Sequence, residues 1–132
     1  MTLNNLGFLY SKTGRLKEAE EAYDKALKHY HSLAEKAPQT YLPYVAGTLN
    51  NLGNLHSSTG RPKEAEEAYV EALKHHRVLA ETAPQTYLPH LATTLNNLSN
   101  LYHETDRPKD AEKAYDEALA VSRALAEIAP EA

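Results

Sequence analysis

Residues 48–69 read TLNNLGNLHSSTGRPKEAEEAY. The same phrase stands 46 residues earlier as TLNNLGFLYSKTGRLKEAEEAY (2–23) and 46 residues later as TLNNLSNLYHETDRPKDAEKAY (94–115). Between the full copies that begin at Thr2 and Thr48, 33 of 46 positions are identical. A period in this range is the mark of a solenoid, whose units bury their apolar faces only against their neighbours. The copies cover 2–47, 48–93 and 94–132 and read as a single array over 1–132.

Within the first copy Leu3, Leu6, Leu9 and Tyr10 recur at helical spacing. Beyond Gly14 the period resumes with Ala19, Ala22, Tyr23, Ala26, Leu27, Tyr30 and Leu33. Each copy therefore encodes two helices. Gly14, Gly60 and Asp106 stand where a helix ends in the left-handed region, which glycine adopts freely and aspartate tolerates. Pro62 and Pro108 follow, where a missing amide hydrogen costs nothing, and Glu64, Glu66, Glu67, Asp110 and Glu112 suit the positive end of the next helix. The second helices should start near residues 16, 62 and 108. They should end near Ala37, Ala83 and Ala129, because Pro38, Pro84 and Pro130 disfavour helix in the residue before them. Such a helix has about 21 residues and a length of roughly 32 Å. The next ones should open around Tyr41 to Pro43 and Tyr87 to Pro89, the first running to about Thr59.

Composition excludes several classes of function. The 132 residues hold 14 Lys+Arg against 18 Asp+Glu, with 7 His, 9 Tyr, no Cys and no Trp. Without cysteine there is no disulfide scaffold, thiolate metal site or cysteine nucleophile, and a reducing compartment, the cytoplasm, is the expected location. A net charge of -4 and a pI near 6.0 offer no general attraction for nucleic acid or an anionic membrane surface. No signal sequence or transmembrane run is read. Ile and Phe occur once each, as Ile128 and Phe8, because one unit written three times needs few residue types.

Leu6-Gly7-x-x-Tyr10, then Gly14, Ala19, Tyr23 and Ala26, resemble the tetratricopeptide repeat (TPR) pattern at matching spacings. The second copy shows it as Leu52, Gly53, His56, Gly60, Ala65, Tyr69 and Ala72, the third as Leu98, Ser99, Tyr102, Asp106, Ala111, Tyr115 and Ala118. The step of 46 is nearer to HEAT and armadillo repeats than to the 34 residues of a TPR, so the side-chain pattern decides and not the period. Leu3, Leu49 and Leu95 stand where that family often has Trp, and the helix-ending proline comes about seven residues late, which implies longer helices. The LNNLG phrasing is similar to the long repeats of kinesin light chains and of bacterial and archaeal TPR arrays. The resemblance implies an all-α, right-handed TPR-type solenoid of three helix-turn-helix repeats. In it Gly7 or Ala19 would let paired helices approach closely, Tyr23 would fill the space between units, and the first helix of each pair would line the concave surface.

On those first helices packing leaves over Asn4, Asn5, Phe8, Ser11 and Lys12; then Asn50, Asn51, Asn54, Ser57 and Ser58; then Asn96, Asn97, Asn100, His103 and Glu104. Spacings of three, four and seven put them on one stripe. Asparagine is a mediocre helix former, so eight at mid-helix ask for a reason beyond propensity. A ladder of side-chain amides can donate to the carbonyls and accept from the amides of an extended peptide. The resemblance to kinesin-light-chain-like repeats implies that use. The candidate peptide-binding residues are Asn4, Phe8, Asn50, Asn51, Asn54, Ser57, Asn96, Asn97, Asn100 and His103. Units stacked at roughly 9 to 10 Å would match about three residues of extended chain at ~3.3 Å each. The competing reading is structural, with the asparagines holding neighbouring units together, Asn5, Asn51 and Asn97 above all, since they border the packed face. Lys12 is the one certain cation of the stripe and Glu104 opposes it, which argues against a carboxylate clamp. Phe8 is either a pocket wall or the cover of an end of the array.

The histidines replace or are replaced by other residues across copies: His56 for Tyr10, His76 for Tyr30, His90 for Tyr44. His29 and His31 are two apart, His75 and His76 adjacent, and no His-Glu-x-x-His occurs, so no metal site is expected within a helix. His56 is expected to be buried, and its charging at low pH to loosen the middle repeat. Glu18, Glu20 and Glu21 read as a solvated face. No catalytic grouping, cofactor or enzymatic activity is expected. The chain begins inside a first helix and ends in APEA without a polar cap, so a piece of a longer array, stacking end to end, is expected. The leading reading is a peptide-binding scaffold for a protein partner; the alternative is a structural spacer or self-associating segment of a larger signalling protein.

Overall fold

The computed structural model describes residues 2–128. Six α-helices follow one another within them: α1 (Leu3–Lys12), α2 (Leu16–Lys36), α3 (Pro38–Ser58), α4 (Pro62–Thr82), α5 (Pro84–Glu104) and α6 (Pro108–Ile128). Each helix packs on the one before and the one after it, and α1, α3 and α5 touch in succession as neighbours in one layer. This is an all-α TPR-type solenoid of helix-turn-helix units, as the repeat pattern implied.

The turns inside each unit follow from their residues. Gly14, Gly60 and Asp106 have φ of 79°, 76° and 61°. That left-handed step lets the Arg15, Arg61 and Arg107 amides donate back to the carbonyls of Tyr10, His56 and Tyr102 at 2.8, 2.9 and 2.8 Å, closing the helix end. Thr13, Thr59 and Thr105 add hydroxyl bonds to the carbonyls of Leu9, Leu55 and Leu101. The arginines then brace the next helix: Arg15 to Glu18, Arg61 to Glu64 and Arg107 to Asp110, at 2.8 to 2.9 Å. Arg61 and Arg107 also reach Glu20 and Glu66 of the preceding unit. Glu18 and Glu20 thus pair with arginine while staying on the solvent-accessible face.

The junctions between units differ from the sequence reading. Helices α3 and α5 open at Pro38 and Pro84, three residues before Tyr41 and Tyr87, and one residue, Ala37 or Ala83, separates them from the helices before. Each proline both stops one helix and begins the next, because at the first helical position its missing amide hydrogen has no partner to lose. Pro43 and Pro89 consequently lie inside the helices. The expected end of α6 at Ala129 and Pro130 lies outside the described residues.

Tyr23 and Tyr69 are the pegs of the stack. The Tyr23 ring lies against Gly7 of its own unit, packed with Leu52 and Leu55 of the next. Tyr69 lies against Gly53, packed with Leu98 and Leu101. A Cβ on Gly7 or Gly53 would stand 2.7 or 2.6 Å from those rings, so only glycine admits this approach. In the third unit Ser99 holds the glycine position and donates to the Ala111 carbonyl at 2.8 Å. Tyr115 is there 52% exposed, against 1% for Tyr23 and 2% for Tyr69.

Candidate functional site

The asparagine stripe runs along α1, α3 and α5, on the layer where those helices are neighbours. Asn4 of α1, Asn50 and Asn51 of α3 and Asn97 of α5 form a cross-unit ladder. Asn51 donates its amide to Asn4 Oδ1 at 3.2 Å, and Asn97 donates to Asn50 Oδ1 at 3.1 Å, where the buried Thr94 hydroxyl also donates. The step of 47 residues in both amide pairs makes this a repeated tie between adjacent units. Asn4, Asn50, Asn51 and Asn97 thus each commit one side-chain group to the stack and keep another free.

One turn further along, the stripe opens. Asn54, Ser57, Ser58, Tyr69, Asn97, Asn100, Leu101 and Glu104 line a depression of about 280 Å³ between α3 and α5. Four of the ten expected residues, Asn54, Ser57, Asn97 and Asn100, meet there. Asn96 and His103 lie exposed on α5 outside that lining. Phe8 is half exposed on α1, with the Lys12 ammonium 5.2 Å over its ring.

Sequence reasoning missed Tyr69. Its hydroxyl donates to Asn54 Oδ1 from beneath the groove, and burial, reinforced by the Glu104 charge, pushes its proton's pKa up to about 12. The signal was present in the spacing of 15 residues between Asn54 and Tyr69. The first copy has Phe8 before Tyr23, which offers that hydroxyl no acceptor.

The histidines gather across helices as well as along them. Glu71 of α4 lies between His31 of α2 and His75 one turn along its own helix, at 3.7 and 3.6 Å. Among the described residues no group of three His, Asp or Glu is placed to hold a metal ion. His76 is buried and stacks on His90 at 5.9 Å, as Tyr30 stacks on Tyr44 at 5.1 Å one unit earlier. His56 is buried as expected, and desolvation followed by the Arg61 charge lowers its pKa.

The profile of the tetratricopeptide repeat matches residues 1–77 and again 44–124. The chain belongs to the tetratricopeptide repeat family. TPR repeats generally mediate protein–protein interaction, and the family is one of non-enzymatic scaffolds. The crystal structure of BtubC (BKLC) from P. vanneervenii is similar at 21% identity and a TM-score of 0.47, over 93% of this chain and 63% of that one. The chain thus spans less than two thirds of that structure's length. No curated protein sequence matches this TPR chain. No helix among its described residues is long and apolar enough to cross a membrane.

Proposed function

We propose that this TPR chain, read as one array of repeats 2–47, 48–93 and 94–132, holds an extended peptide segment of a protein partner along the α1, α3 and α5 stripe. The supporting observation is the depression of about 280 Å³ where Asn54, Ser57, Asn97 and Asn100 of two successive units converge. Free amide donors and acceptors at that spacing suit peptide backbone. Asn4, Asn50 and Asn51 take a double role, tying units together and offering their remaining groups to the guest. Phe8 at one end and His103 at the other extend the contact. The cysteine-free chain is assigned to the cytoplasm, and its partner is protein, not nucleic acid or membrane.

The test separates binding from stacking. Asn100→Ala with Asn96→Ala should weaken capture of a partner peptide about tenfold with the melting temperature unchanged, since neither side chain bonds another unit. Asn50→Ala should lower the melting temperature as well, because it strips Thr94 and Asn97 of their acceptor. Undiminished capture by the Asn96/Asn100 double variant would sink the proposal.

A second reading, self-association of repeat ends, is favoured by one contrast. Leu9 is 46% exposed where Leu55 and Leu101 are 3% and 4%, and Tyr115 is exposed where Tyr23 and Tyr69 are buried. The two faces carry the same residue types that meet inside the stack. Light scattering over a concentration series should then show growing assemblies that Tyr115→Lys abolishes; a monomer at every concentration would refute it.

A further inference from the structure

We infer that the depression between α3 and α5 is a subsite for a cationic side chain, a lysine or arginine of the bound peptide, with Glu104 as its counter-ion. This deepens the peptide-groove reading and rests on it. Glu104 is the one charged residue in the lining. No Lys, Arg or His among the described residues forms an ion pair with it, whereas Glu18, Glu20, Glu64, Glu66, Asp110 and Glu117 are all held by arginine. It shares the lining with Tyr69, and its charge adds to burial in raising the pKa of the Tyr69 hydroxyl.

The hydrogen-bond inventory agrees. Tyr69 occupies Asn54 Oδ1, which leaves the Asn54 amide hydrogens for a peptide carbonyl. The acceptors that remain are the Glu104 carboxylate, the Asn97 and Asn100 side-chain carbonyls and the Ser57 and Ser58 hydroxyl oxygens, a set that suits a group with several N–H donors and no acceptor. The methylenes of such a side chain would lie along Leu101 and the Tyr69 ring, as long cationic side chains do on apolar surface. An acidic guest would meet Glu104 with no cation to offset it. The same positions one unit earlier carry the opposite character, Phe8 with Lys12 over its ring. The stripe therefore changes sign along its length, which fixes the direction in which a charged peptide lies.

Fluorescence anisotropy with three labelled nonapeptides tests this, each of serine and alanine with Arg, Gln or Glu at the centre, titrated with the full chain. Arg should bind about tenfold tighter than Gln, and Glu weakest. Glu104→Gln should bring Arg and Gln within about twofold, and Glu104→Lys should invert the order, both with unchanged melting temperature. Equal binding of all three peptides to the wild type would overturn the cationic subsite and leave the groove reading standing. No binding of any up to about 1 mM would overturn both. An arginine preference that survives Glu104→Gln would also sink the subsite.

Discussion

Gly53 and Gly47 lie on the same helix, six residues apart, yet alanine has opposite consequences at the two. A Cβ at Gly53 would press on the Tyr69 ring, while one at Gly47 meets nothing within 4 Å. Gly53→Ala should cost about 1–3 kcal/mol through overpacking, and Gly47→Ala should gain about 0.5–1 kcal/mol through helix propensity, both read by urea denaturation. His76 carries a pH prediction. Burial, with His90 and His75 as its nearest titratable neighbours, pushes its pKa from 6.5 down to about 4. Between those values the unfolded chain binds a proton that the folded chain refuses, so this contribution is whole above pH 6.5 and is lost as the pH falls toward 4. The loss should reach about 1–2 kcal/mol at pH 5. Lowered values at His56 and His75 act in the same direction. His76→Tyr, the residue that Tyr30 sets in the equivalent place, should remove most of the difference in melting temperature between pH 7 and pH 5; an unchanged difference would assign it elsewhere.

At the scale of elements, the turns were legible and the junctions were not. A left-handed residue flanked by a helix-ending threonine and an arginine is a local matter, so Gly14, Gly60 and Asp106 could be read from the chain alone. Asp106 bears the strain of φ 61°, and Asp106→Gly should stabilise the third unit by about 0.5–1 kcal/mol, whereas Gly60→Ala should destabilise the second by about 1–2 kcal/mol. Thermal melts of the two variants check the opposite signs. The sequence reading starts α3 and α5 too late because it gives Pro38 and Pro84 only the role of stops. Local rules allow a proline either role, and the packing of α2 on α3 and α4 on α5 around a single bent residue selects both at once. Pro43 inside α3 is the cost of that choice, an amide hydrogen missing from the second turn.

Across the whole molecule, stability should follow position in the stack. Helices α2 to α5 each pack between two neighbours, with α3 to α5 at the centre of the stack, while Leu9 on α1 and Tyr115 on α6 stand half exposed. In a nearest-neighbour solenoid, opening propagates inward from such faces. Hydrogen exchange should therefore be slowest in α3 to α5 and fastest in α1 and α6; uniform protection would indicate one cooperative unit. Repetition, helix number, turn chemistry and family pattern were all written in the sequence, since each depends on residues within a few turns of one another. The asparagine stripe was legible too, but not how its members divide between tying units and facing a guest. That division required the distance across the seam, where residues 47 apart bond and residues 15 apart place Tyr69 under Asn54. The same holds for His31 and His75 around Glu71 and for His76 on His90. Periodicity determines which face of a helix a residue occupies. Only the stacking of one unit on the next decides what that face meets.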